Sequence, residues 1–226
     1  MELLKMDVFE AMENRHSVRK YLAKPIPEEI VALLNEEIEA CNKESGMNIQ
    51  LILQEPEALG GIKGKVSTFR NAVNYFAMVG NKEEGLNEKA GYYGERLVLL
   101  AQRLGLNTCW IAGSHSRIKC KRFVGEGQKL SCIISVGYGE TQGVPHKNKS
   151  ENERFVTDRV APEWFEKGKK AVMLAPTAIN QQKFRFTLEG NTVFAEETGG
   201  FYSDIDLGIV KYHFELGASG GDWKWK

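Results

Sequence analysis

Ser45-Gly-Met-Asn48-Ile-Gln50 and Thr177-Ala-Ile-Asn180-Gln-Gln182 share one pattern: a small hydroxyl residue, two residues, Asn, one residue, Gln. They lie 132 positions apart, and each follows a stretch with helical spacing of apolar residues and precedes one with the composition of a strand. A second echo has an offset of 117: Gly91 and Gly208 each open a helical stretch, with Leu99 and Leu216 eight residues on and Ala101 and Ala218 ten residues on. Two echoes in the same order and context predict an internal duplication. A duplicated chain can fold as its own pseudo-dimer, its halves facing each other as subunits do in a symmetric pair.

The periodicities between these landmarks alternate. Pro27, Glu28 and Glu29 open a segment in which Ile30, Leu33, Leu34, Ile38 and Cys41 share one stripe and Gly46 is the stop, which predicts an amphipathic helix. Strands are predicted over 47–53 and, as a buried apolar run, over 74–80. A central helix over 88–104, closed by Gly105, and strands over 108–112 and 130–136 complete the first half. The polar run 146–153 reads as a connecting segment, so the half boundary falls there: 1–150 form the first half and 151–226 a shorter, degenerate second half. The second half predicts a helix over 161–173, a hairpin of 183–188 and 192–195 about Glu189-Gly190-Asn191, and a helix over 203–216. Strands and helices intermix as in an α+β or α/β fold. Trp223 and Trp225 fit either a core cap or the lining of a site entrance.

Lys plus Arg and Asp plus Glu balance at thirty each, so the overall field gives no reason to expect nucleic acid or an anionic membrane as partner. The charged start of the chain argues against a signal peptide, and no run is long and apolar enough to span a bilayer. Cys41, Cys109, Cys120 and Cys132 are widely spaced without a Cys-x-x-Cys pair, so neither zinc nor a disulfide framework is indicated and a reducing, cytoplasmic setting fits. They read as small buried thiols.

Chemistry concentrates first in Arg15-His16-Ser17-Val-Arg19, where two guanidiniums and a hydroxyl in five residues make a phosphate grip. On these residues alone a solvated basic helix end is the commoner outcome. Taken with Asn14 and Tyr21, however, the segment resembles the N-terminal FMN-binding motif of the nitroreductase family. Further pieces follow in that family's order. Leu104-Gly-Leu-Asn-Thr-Cys-Trp110-Ile111-Ala112-Gly113 resembles the segment after its central helix, whose backbone passes the flavin N5 edge. Pro145-His-Lys147-Asn-Lys149 resembles a basic pair that reaches the FMN phosphate. Ala175-Pro176-Thr177-Ala-Ile-Asn180-Gln-Gln182 resembles the Pro-Ser-Ser-x-Asn-x-Gln motif, which in ordinary family dimers contacts FMN held mainly by the other subunit.

The resemblance implies a nitroreductase-like α+β fold, a single-chain pseudo-dimer of two related three-layer halves. It implies one FMN held by Arg15, His16, Ser17, Arg19, Ile111, Ala112, Gly113, Lys147 and Lys149 and completed by Pro176, Thr177 and Asn180, with the mirror site degenerate. The expected activity is ping-pong reduction of nitroaromatics, quinones or similar small electron acceptors by NADH or NADPH. The flavin N5 carries the chemistry, so no side chain is assigned a catalytic role and no metal is expected. His16 fits a cofactor contact better than a base, since no triad partner is suggested. Two positions depart from the family pattern: Trp110 stands where Pro is frequent, and Ala112 where many members have Glu. The missing carboxylate motivates an alternative, an FMN-binding or sensing protein with little turnover. Because the chain supplies both sides of the expected site, a monomer is the expected minimal unit.

Overall fold

The computed structural model describes residues 3–59, 69–113 and 121–226. Its helices are α1 (Val8–Asn14), α2 (Glu28–Ser45), α3 (Leu86–Arg103), α4 (Glu163–Val172) and α5 (Ser203–Gly217). Its strands are β1 (Gln50–Ile52), β2 (Tyr75–Asn81), β3 (Asn107–Ile111), β4 (Gln128–Gly137), β5 (Phe155–Thr157), β6 (Phe184–Glu189), β7 (Thr192–Glu197) and β8 (Lys224–Trp225). The chain divides into two units, Met1–Leu86 with Arg96–Pro145, and Asn87–Glu95 with His146–Lys226.

The first unit is built on an antiparallel sheet of order β1-β2-β4-β3. Its central strand β2 does not alternate: Tyr75, Phe76, Ala77, Met78 and Val79 are all fully buried, as for a strand covered on both faces. Tyr75, Ala77 and Val79 share a cluster with Val18, Tyr21, Ile111 and Ile133, and strand geometry points Phe76 and Met78 the other way. In α2 the buried positions Ile30, Leu34, Ile38 and Cys41 reproduce the predicted stripe, and Gly46 caps the end by donating to the Asn42 carbonyl.

The second unit has a sheet of order β5-β6-β7-β8, in which the β6–β7 hairpin is antiparallel and both edges are parallel. Along β6, Phe184, Phe186 and Leu188 are buried while Arg185 and Glu189 are exposed, the alternation of a sheet packed on one face. That face carries an aromatic cluster. Phe186 stacks on Phe214 of α5 at 5.0 Å between centroids, and Trp164 of α4 stacks on Trp223 at 6.0 Å. Trp223 and Trp225, both half-buried, therefore pack against the core of this unit. Strands β5 and β8 go beyond the sequence expectations: three- and two-residue strands have no periodicity of their own and exist only through pairing with β6 and β7.

Within the second unit the two echo glycines meet. A Cβ on Gly91 would lie 2.0 Å from the Ile205 carbonyl oxygen, and one on Gly208 would lie 1.9 Å from that of Glu88. Two helix backbones can approach this closely only without side chains between them. One turn further along, the fully buried His213 reaches Ala171 O through Nδ1 (2.9 Å) and Glu95 Oε1 through Nε2 (3.0 Å). A carbonyl can only accept, so Nδ1 carries a proton and the Nε2–Glu95 bond holds either a second ring proton or a carboxyl proton.

Candidate functional site

The N-terminal motif is delivered by a short, well-capped helix. Asp7 Oδ1 accepts from the Phe9 and Glu10 amides at 2.7 and 2.9 Å, and Glu10 Oε2 accepts from the Asp7 amide at 3.0 Å, a complete capping box for α1. Arg15 leaves the helix with extended backbone, and the chain runs beside β3: Ser17 pairs with Thr108 in parallel, and the Val18 amide donates to Thr108 O at 2.9 Å. Tyr21 pins the far end, its hydroxyl bonded to Val18 O (2.8 Å) and Ser135 Oγ (2.7 Å). Strand alternation then sets the side chains, Val18 buried in the core and Ser17 and Arg19 exposed, while Arg15 is only 4% exposed. The segment is backed sterically as well. Gly143 has φ 75°, and a Cβ there would lie 2.7 Å from that of His16.

Burial pushes the Cys109 thiol above its ordinary range, opposed by the Arg19 charge, a hydrogen bond with Ser17 and the Arg15 charge. The thiol is thus a neutral neighbour of two guanidiniums and a hydroxyl, a donor set suited to phosphate. From Thr108 the strand continues to Ile111, buried, then to half-buried Ala112 and exposed Gly113. At about 3.3 Å per residue these lie roughly 10–17 Å beyond the Ser17 pairing, room to lay out a phosphate-ended chain and a ring system. A cleft of about 320 Å³ in this unit, lined by Tyr21, Lys24, Gln54, Asn71 and Asn74 among others, includes none of the predicted site residues.

The remaining predicted residues come together in the second unit. Lys147 O accepts from Asn180 Nδ2 and from Gln182 Nε2, both at 2.9 Å. The Lys149 amide donates to Gln182 Oε1, and its Nζ to Gln181 O, again at 2.9 Å. Lys147 and Lys149, expected in the first half, are therefore laced to the loop of Thr177 and Asn180. Thr177 Oγ1 accepts from the Gln182 amide at 3.0 Å. Pro176 and Asn180 are half-buried.

This loop is strained. Ile179, Asn180 and Gln182 have φ of 46°, 55° and 49°, in the left-handed region that is strongly disfavoured for a β-branched residue. Asp206, in the first turn of α5 and 2% exposed, holds it: its Oδ1 and Oδ2 accept from the Ala178 amide at 2.9 and 3.1 Å, and Oδ2 accepts from Gln181 Nε2 at 2.7 Å. The Gln181 amide also closes on Phe201, donating to its carbonyl (2.7 Å) and accepting from its N–H (3.1 Å). Asp206 and Gln181 are absent from the sequence-derived site. An acid in the first turn of a helix is what any helix start shows, so composition carries no signal for Asp206.

Arg15, His16, Ser17, Arg19, Ile111, Ala112 and Gly113 thus gather in the first unit, and Lys147, Lys149, Pro176, Thr177 and Asn180 in the second. Cys41, Cys109 and Cys132 are buried free thiols, and Cys120 lies outside the described residues. Among the described residues no group of three or more His, Cys, Asp or Glu is arranged to hold a metal ion, and no helix is long and apolar enough to cross a membrane.

Solved structures share this fold. A "putative nitroreductase" from Thermotoga maritima superposes with a TM-score of 0.67 at 22% identity, covering 93% of this chain and 83% of that one. A "putative NADH dehydrogenase/NAD(P)H nitroreductase" from Parabacteroides distasonis superposes with a TM-score of 0.51 at 16% identity over 66% of this chain and 96% of that one. The protein of the same description from Bacteroides thetaiotaomicron gives 0.50 at 19%, over 64% and 93%. No curated protein matches the sequence. The family model described as "Putative TM nitroreductase" matches residues 7–218, and the chain belongs to this nitroreductase family with the corresponding α+β fold.

Proposed function

We propose that this protein is an FMN-dependent oxidoreductase that draws reducing equivalents from NADH or NADPH and delivers them to a small electron-poor acceptor such as a nitroaromatic or a quinone. The observation that supports it is the donor set of the first unit, where buried Arg15 and exposed Ser17 and Arg19 stand together in a segment paired beside β3. This donor set fits the FMN phosphate. When bound, FMN supplies the hydride-accepting N5 and passes the electrons on, so the protein positions and shields. Arg15 and Arg19 offer forked donors to phosphate oxygens, with Ser17 adding a short donor and His16 flanking them. The backbone of Ile111, Ala112 and Gly113 serves the ring edge, and Pro176, Thr177, Asn180, Lys147 and Lys149 serve the same flavin. Relatives described as NAD(P)H nitroreductases support the choice of reductant.

Anaerobic mixing of the FMN-loaded protein with NADH, then with a nitroaromatic or quinone, tests the reading. Bleaching of the flavin band within seconds and its return with acceptor are expected. Ala112 favours a second reading, an FMN-binding or sensing protein with little turnover, because no carboxylate stands at that point of the strand end. Slow bleaching with intact FMN binding selects that reading; failure to bind FMN sinks both.

The meeting of Gly91 with Gly208 supports a pseudo-dimer. In a two-fold arrangement, equivalent residues touch each other at the axis, as these echo positions do. A monomer is accordingly the proposed minimal active unit.

A further inference from the structure

We propose that Asp206 is a positioning residue: as a carboxylate it keeps the 177–182 loop in its left-handed conformation, and so sets the affinity for flavin. The inference rests on the flavin reading above. Its basis is the accounting of donors and acceptors around one buried side chain. Phe201 N–H can only donate and Phe201 C=O only accept, which fixes the Gln181 amide with Oε1 toward the former and one Nε2 hydrogen toward the latter. The second Nε2 hydrogen points at Asp206 Oδ2, and the Ala178 N–H at Oδ1 and Oδ2. Both carboxylate oxygens therefore face donors. A proton on either would turn an O–H toward the Ala178 N–H or the Gln181 Nε2–H, which only donate.

Without this anchor the loop has little reason to hold its shape. Ile179 is 83% exposed, so no packing rewards its left-handed backbone, and Asn180 and Gln182 carry the same conformation. Strain that neighbours over-determine is a mark of functional loops. The anchor is also kept against the preference of the fold. Burial pushes the Asp206 carboxyl up to about 6 from 3.8, raised further by Asp204 on the same helix and opposed by the Gln181 and Ala178 hydrogen bonds. From the facing loop, those amides are the groups that bear on it. Because the folded value lies above the unfolded one, protonation favours the fold: the cost of the ionised form is fully present above about pH 6 and vanishes below the ordinary carboxylate range. An acid that costs stability when charged, yet meets only donors, fits a role in holding the loop.

Asp206→Asn is the test, since it keeps shape but turns an N–H toward one of the donors. At pH 8 the variant should bind FMN about ten- to a hundredfold more weakly than wild type, with a melting temperature equal or higher. A merely structural role would lower both. The FMN phosphate itself titrates near pH 6, so the informative quantity is the ratio of the two dissociation constants, in which that titration cancels. The ratio should fall toward one between pH 8 and pH 5. Wild-type affinity in the variant at pH 8, or a ratio flat across this range, overturns the proposal. If wild type binds no FMN at pH 8, the flavin reading fails and amide exchange of 178–182 decides on Asp206 alone: exchange at least tenfold faster in the variant supports the anchor, and unchanged exchange refutes it. Should the variant not fold, protection factors of the same amides in wild type replace it, expected to fall at least tenfold from pH 8 to pH 5; constancy refutes the anchor.

Discussion

The segments 45–50 and 177–182 share a pattern and a place, between a helix and the first strand of an antiparallel pair, yet they are put to different use. The first is relaxed and inward. Ser45 Oγ donates to Cys41 O at 2.6 Å and accepts from the Met47 amide at 3.0 Å, while Asn42 clasps Ile49 through its N–H (2.7 Å) and C=O (3.0 Å). Gln50 donates to Phe123 O at 2.9 Å. Its only left-handed residue is Gly46. The second has three non-glycine left-handed residues, an exposed Ile179 and a buried acid for an anchor. The same pattern serves as a structural turn in one segment and, on the proposed reading, as a preorganised binding loop in the other. The difference teaches where to look for the site: in the segment whose backbone is held against its own preference.

That contrast can be broken by substitution. The largest effect belongs to the scaffold beneath the second segment. Glu95→Ala leaves His213 fully buried without its carboxylate and should lower the unfolding free energy by about 3–5 kcal/mol in urea titration; a loss below 1 kcal/mol would deny that the buried Glu95–His213 pair holds this unit together. Next come the segments themselves. Asn42→Ala should cost about 2–3 kcal/mol of stability and leave FMN affinity unchanged, since it strips two hydrogen bonds from the Ile49 backbone. Asn180→Ala should do the reverse, weakening FMN roughly tenfold while stability moves by less than about 1 kcal/mol. Equal stability losses at the two Asn would erase the distinction. The smallest effect is at Ile179→Gly, expected to stabilise by roughly 0.5–1 kcal/mol, because an exposed left-handed Ile has strain to relieve and no packing to lose. Thermal unfolding would show destabilisation instead if the residue packs on something in solution.

Much of this was legible in the residues. Apolar stripes of period 3.6 marked α2 and α3, and Glu189-Gly190-Asn191 marked the hairpin to within a residue or two. The 47–53 stretch contracts to Gln50–Ile52 because its first residues bend around Ser45 and Asn42. The motif order led to the nitroreductase family, now matched over residues 7–218. What escaped was set by tertiary pairing. Strand β5 exists because Phe155 meets Phe186, and β8 because Trp225 meets Val193, partners about thirty residues away in sequence. Asp206 escaped for a different reason: its importance lies in being buried against donors, and burial of one acid cannot be read from a helix start where acids are common.

The central claim, that one chain of 226 residues supplies a complete site for a single flavin, is tested most directly by the visible absorbance of FMN-saturated protein combined with its sedimentation mass. The account predicts one FMN per chain on a particle of 25.4 kDa. A protein that stays colourless after incubation with FMN, or one that binds flavin only as an obligate dimer with two FMN, would contradict it.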